Sequence, residues 1–282
     1  MRTYLDCYAC FVRQALSAAR MVTDDEAAQR AVVTATLALL QDLPSGATPP
    51  EIAFAVHRLV RERLGDGDPY AAAKAESTRA ALALYPRLKT LVAESDNPLD
   101  VAVRISIAGN IVDYGVGDDI PDLWETVERV LAAPFAIDDL DALRSELDAA
   151  DRVLFLADNA GETVFDRVLI EELSPPVLYA VKGGPVLNDA TREDALAAGL
   201  DACATVVDNG SRAPGTVLDL CSTEFHKAFD DAPLVIAKGQ ANYETLSEAG
   251  PRVFCLLQAK CPVIADDMPA PVGGAVVKRG VG

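Results

Sequence analysis

No apolar run in this chain approaches the ~18–20 residues needed to span a bilayer, and Asp6 and Arg13 interrupt the N-terminal segment, so no signal peptide is visible. Basic residues are scarce relative to acidic ones: 25 Lys and Arg against 43 Asp and Glu, for a formal net charge of -18. Such a surface repels phosphate backbones and argues against nucleic-acid binding. Histidine is nearly absent, with His57 and His226 alone, and the six cysteines are scattered, so neither residue forms the dense cluster of a dedicated zinc hydrolase. Scattered cysteines in a chain without secretory features are expected to be reduced thiols in a cytoplasm. Internal repeats and low-complexity segments are also missing. What remains is a chain that is half hydrophobic over 282 residues, ample for a substantial core in one or two domains.

The two halves follow different periods. Up to about residue 150 apolar residues recur at helical spacing, punctuated by cap-then-proline signals at Thr48-Pro49-Pro50, Asp68-Pro69 and Asn97-Pro98. Thr23 with Glu26 reads as a capping box opening a helix over Asp25–Leu40, and Gly65 as the end of the helix begun at Thr48. Shorter helices are expected around Leu123–Ala132 and Asp138–Ala149, with a linker at Pro134 and the acidic stretch after it. After Asp151 short apolar runs appear at Val153–Ala157, Val177–Val181, Ala204–Val207, Leu234–Ala237 and Val253–Leu257, with Val272–Lys278 as a further candidate. Stretches of helical length separate most of them, the grammar of a parallel sheet with helical crossovers. The expected architecture is α/β: an all-α helical domain over residues 1–148 and a three-layer α/β domain with a mostly parallel sheet over 149–282.

Chemistry collects where the strands end. The first run leads into Asp158-Asn159-Ala160-Gly161-Glu162, the second into Lys182-Gly183-Gly184 with Asn188-Asp189 beyond, and the third into Asp208-Asn209-Gly210-Ser211. The fourth gives Lys238-Gly239-Gln240-Ala241-Asn242-Tyr243, and the fifth Gln258 and Lys260. In an open parallel sheet these ends share one edge, where ligands bind. Asp158, Asn159 and Asp189 are oxygen donors suited to a hard cation. Lys182 and Lys238 supply ammonium groups, and the glycines let backbone amides approach an anion. A cation beside lysines and exposed amides is the equipment of phosphoryl transfer.

Three segments together, Asp158 to Asp166, Lys182 to Thr191 and Ile236 to Glu244, closely resemble the signatures of the damage-control phosphatases, the "domain of unknown function 89" family in its compact bacterial and archaeal form. Asp208 to Ser211, Gly109-Asn110-Ile111-Val112-Asp113 and Cys7-x-x-Cys10 fit it too. The resemblance implies a metal-dependent phosphoric monoester hydrolase acting on small phosphorylated metabolites, such as sugar phosphates, phosphopantetheine derivatives or damaged compounds. It implies a divalent ion (Mn²⁺, Co²⁺, Ni²⁺ or Mg²⁺) on Asp158, Asn159 and Asp189, and Lys238 facing the phosphate. The expected mechanism is attack by metal-activated water with Asp158 or Asp189 taking the proton, against a competing aspartyl-phosphate on Asp158. Lys182, Gly183, Asn188, Asn209, Ser211 and Asn242 are the expected substrate contacts, joined by Asn110 and Asp113 from the helical half, with Glu162 supporting Asn159 or a metal-bound water. Cys7 and Cys10, one helical turn apart, are expected as unligated thiols, since a zinc site would need two more ligands and Cys261 is the remaining candidate. Two other readings are a carboxyl methyltransferase using S-adenosylmethionine, disfavoured if both lysines face the sulfonium, and a non-enzymatic metal- or metabolite-binding module.

Overall fold

A computed structural model describes residues 1–44, 46–110 and 123–282. The first helices are α1 (Leu5–Val22), α2 (Glu26–Leu39), α3 (Pro49–Leu64), α4 (Ala71–Ala93), α5 (Pro98–Gly109) and α6 (Leu123–Ala132). Their starts obey local chemistry. Thr48 and Glu51 close a reciprocal capping box around the two prolines of α3, and Asn97 Oδ1 accepts from Asp100 N ahead of α5. At α2 the cap differs from expectation: Asp25, not Thr23, caps the helix by accepting from Ala27 N at 2.9 Å, while Thr23 Oγ1 accepts from Asp25 N.

The stretch after Pro134 is not a linker. Ile137–Asp138 forms β1, paired in parallel with the last strand, so the sheet begins before residue 149. Then follow α7 (Leu140–Ala149), β2 (Val153–Leu156), α8 (Thr163–Ile170), β3 (Val177–Val181), α9 (Arg192–Ala197), β4 (Thr205–Asp208) and α10 (Thr223–Asp231). The chain ends with β5 (Leu234–Lys238), α11 (Gly239–Leu246), β6 (Val253–Gln258), α12 (Pro262–Asp267) and β7 (Ala275–Arg279). The strands assemble in the order β1-β7-β6-β5-β2-β3-β4, every pair parallel except β6 with β7.

Residues alternating along each strand feed two cores. Val153, Phe155, Leu234, Ile236 and Phe254 pack under α4, α5, α7 and α8, while Leu154, Leu156, Val235, Ala237 and Cys255 face α10, α11 and α12. A sheet buried on both faces explains why its strands read as continuous apolar runs. Because α4 and α5 pack on the sheet directly, the first of these cores spans residues on both sides of position 149. Helices α1 to α3 share a smaller third core. No helix among the described residues is long and apolar enough to cross a membrane.

From β2 the chain steps outward through β3 and β4, then returns to the other side of β2 with β5. The carboxyl ends of β2 and β5 therefore flank the point where strand order reverses, the favoured ligand crevice of open α/β sheets. Asp158 follows one and Lys238 closes the other.

Candidate active site

Two loops are stitched together by backbone hydrogen bonds beyond β2. Ala190 N donates to Asp158 O at 2.8 Å and Ala160 N to Asn188 O at 2.9 Å, which pairs Asn159 with Asp189 as an isolated antiparallel bridge. This stitch brings Asp158, Asn159 and Asp189 to one place, although the first and last are 31 positions apart in the chain. All three are buried, as is Asn188 beside them. The second loop turns through Leu187 at φ 47°, a left-handed conformation costing a non-glycine residue about 1–2 kcal/mol.

Asp158 is clamped from several sides. Its Oδ2 accepts from Asn110 Nδ2 at 2.6 Å and from Asn159 Nδ2 at 2.9 Å. Its carboxylate lies against Gly239, the first residue of α11, where φ is +79° and a Cβ would stand 1.9 Å from Oδ2. Only glycine accommodates both the conformation and the contact. The same two amides also donate to Glu162 Oε2, at 2.9 Å from Asn110 and 3.2 Å from Asn159. Glu162 and Asp158 are thus two carboxylates joined by shared amide donors, one of them supplied by the end of α5.

Behind Glu162 lies a buried ionic cluster. Lys238 Nζ donates to Glu162 Oε1 and Asp166 Oδ1, both at 2.6 Å, and to Ser106 O at 2.9 Å. Asp166 also accepts from Ser106 Oγ and Tyr179 OH, each at 2.8 Å. Burial alone would lower the Lys238 pKa, but the adjoining Asp166 and Glu162 outweigh it and raise it. Burial is also the main reason the Asp166 acid is pushed up to about 6, opposed by Lys238 and assisted by Glu162.

This arrangement corrects the expectation that Lys238 faces the phosphate. Its side chain follows Leu234 and Ile236 onto the face of β5 under α5 and α8, and three protein oxygens take its donors. It therefore carries no weight against a sulfonium-binding site either. Lys182 is also buried, with Nζ donating to Gly215 O and lying 3.5 Å from Asp189 Oδ2.

Other expected contacts serve the scaffold. Gly183 N donates to Ser211 O, Asn209 Oδ1 accepts from Ser211 N, and Ser211 Oγ accepts from Ala213 N. Asn242 Nδ2 donates to Ala157 O and Lys238 O, while its Oδ1 accepts from Thr216 Oγ1. These bonds tie the loops after β3, β4 and β5 to one another. Asp113 lies outside the described residues.

The cavity that receives Asp158, Asn159, Asn188 and Asp189 has a volume of about 460 Å³. Its other walls come from Gln240 and Glu244 of α11, and from two regions that sequence reasoning left out of the site: Phe11 and Arg13 of α1 and Pro49 and Pro50 of α3. Cys7, Cys10 and Cys261 line it too, all free thiols; burial raises the pKa of Cys7 and of Cys261. Among the described residues no group of three or more His, Cys, Asp or Glu side chains is placed to hold a metal ion. A cation here would take the two carboxylates and the amide, a hard-oxygen donor set whose members the loop stitch brings together.

The chain is similar to known proteins over nearly its whole length. Residues 3–276 match the family model of the damage-control phosphatase ARMT1-like domain. Damage-control phosphatase PH1575 of Pyrococcus horikoshii is 35% identical over 99% of this chain and 98% of its own length. A damage-control phosphatase of Archaeoglobus fulgidus is 36% identical over 96% of this chain and 97% of its own. The crystal structure of the P. horikoshii protein, described as a DUF89 family protein, superposes with a TM-score of 0.90 over 99% of both chains at 35% identity. The chain belongs to the damage-control phosphatase ARMT1-like family.

Proposed function

We propose that the protein hydrolyses phosphate monoesters of small metabolites, with a divalent cation held by Asp158, Asn159 and Asp189. The observation that carries this reading is the stitch between the two loops, which sets two buried carboxylates and an amide in one cavity at the sheet's switch point. When bound, the cation would supply positive charge to the phosphoryl oxygens and acidify a water molecule. The names of the archaeal relatives point to phosphorylated metabolites as the substrate class.

The chain's own residues divide the remaining work. Asn110 and Asn159 hold Asp158 in one orientation, and Glu162 holds those amides. Lys238 offsets the charge of Glu162 and Asp166 and acts as a positioning residue for the site. Lys182, close to Asp189, is the better placed of the two lysines for a phosphoryl oxygen. Asp158 and Asp189 are the carboxylates that can accept the proton of an attacking water. Positioning to a fraction of an ångström matters because near-attack geometry contributes much of the rate enhancement in phosphoryl transfer.

The test uses protein stripped with EDTA and given a panel of phosphate esters with Mg²⁺, Mn²⁺, Co²⁺ or Ni²⁺ restored. Phosphate release that returns with metal, together with Mn²⁺ binding by calorimetry that Asp158→Asn and Asp189→Asn each abolish, is the expected result. Unchanged Mn²⁺ affinity in both variants would move the metal elsewhere. Absence of phosphate release under every metal would end the phosphatase reading.

A further inference from the structure

Beyond Asp158 and Asp189, the cavity wall has a definite character that bears on what the ester carries besides its phosphate. Apolar surface comes from Phe11, Pro49, Pro50 and Val263. Charged groups on the same wall are Asp6, Glu244 and Asp266 against Arg13 and Lys260. Arg13 is turned toward Cys10, whose Sγ accepts from Nη2 at 3.3 Å. The thiols of Cys7 and Cys261 are held protonated by burial. The leaving-group side of the cavity is therefore apolar with a small excess of acid, inside a chain whose net charge is -18.

A metal-phosphate end can tolerate the global acidic field through its cation. A second anionic group on the substrate meets Arg13 and Lys260 but also Asp6, Glu244 and Asp266 on the same wall, so it must lose water against a net like charge. Resting on the phosphatase reading, we propose that this wall selects monoesters whose leaving group is uncharged and partly apolar, and that it discriminates against esters bearing a second carboxylate or phosphate. The volume of about 460 Å³ lies within the range of small-metabolite pockets and exceeds the needs of a phosphate alone.

Glu244 is the wall's most buried charge and is central to the selectivity. It is 7% exposed and its acid is pushed up to about 7, chiefly by burial. The groups facing it are Gln240 on its own helix, Asp267 of α12, Cys7 of α1, Cys261 and the amino group of Met1. The wall thus becomes more anionic as pH rises through about 7.

Benzyl phosphate and 4-carboxybenzyl phosphate test the idea, since they differ by one remote carboxylate and little in leaving-group chemistry. With the full chain and Mn²⁺, kcat/KM should favour the neutral ester by about tenfold or more, and the ratio should grow from pH 6 to pH 8. Glu244→Gln should lower the ratio and flatten its pH dependence. Asp266→Lys, at an exposed position, should lower it independently. Equal rates for the two esters, or a preference for the carboxylated one, would overturn the selectivity while leaving the phosphatase reading intact. Phosphate release from neither these nor any other ester overturns both.

Discussion

Replacing Lys238 by Met removes the cation that Glu162 and Asp166 share at 2.6 Å each, leaving both carboxylates with side chains 0% exposed. Deleting one partner of a buried pair costs about 3–5 kcal/mol, because the remaining charge is desolvated without compensation. Set against a typical domain stability of about 5–15 kcal/mol, the loss is large but survivable. The pH dependence identifies its origin. Asp166 in the intact protein titrates near 6, above its ordinary 3.8, so the folded state binds a proton that the unfolded state releases, and acidification through that window favours folding. Without Lys238 to pull it down, the Asp166 pKa rises further. The deficit of Lys238→Met is therefore greatest well above pH 6 and shrinks as pH falls toward 6, as the stranded Asp166 takes up a proton. Urea unfolding of both proteins at pH 5 and pH 8 measures this difference. The triple variant with Glu162→Gln and Asp166→Asn, which removes the charges at similar volume, should recover part of the loss at pH 8. A deficit below about 1 kcal/mol, or one equal at both pH values, would refute the buried cluster as drawn.

Other consequences follow from single contacts. Gly239→Ala drives a Cβ to within 1.9 Å of Asp158 Oδ2 and strains a residue at φ +79°, so it should cut phosphatase kcat by about 10²-fold while circular dichroism shows the fold retained. Gly161→Ala meets Ser77 Oγ at 1.9 Å, and Ser77→Gly in the same chain should restore much of the lost thermal stability; additive effects would place the clash elsewhere. Glu244, raised from its ordinary 4.5 to about 7, makes the folded state the stronger proton binder. Its contribution to stability is present below pH 4.5 and lost as pH rises to 7, by about 3 kcal/mol. Subtracting the Glu244→Gln stability curve from that of the intact chain should show this slope, and a flat difference between pH 4.5 and 7 would refute the perturbation of Glu244 by burial.

The separation of helical and α/β grammars was legible in residue order, because helices and strands bury their apolar faces with different periods. So was the shared rim: parallel strands joined by crossovers must present their carboxyl ends on one edge, which put Asp158, Asn159 and Asp189 within reach of one another before any coordinates. The burial of Lys238 is also encoded in residue order. Counting by twos from Leu234 and Ile236 puts its side chain on the buried face of β5, where an ammonium survives only beside carboxylates. Glu162, the N-cap of α8, and Asp166 four residues on within that helix are the available signal for those partners.

Other features required the folded chain. The Ile137–Asp138 strand has too few residues to show a period, and its existence depends on β7 lying beside it. The hydrogen bonds from Asn110 to Asp158 and Glu162 depend on α5 docking against α8, and the meeting of α1, α3, α11 and Cys261 around one cavity depends on how helices pack. Local sequence determines what each segment is and which of its residues can do chemistry. Which distant side chains meet, and whether a lysine ends in a cavity or beneath a helix, is decided by long-range packing, since those contacts join residues that no short-range pattern connects.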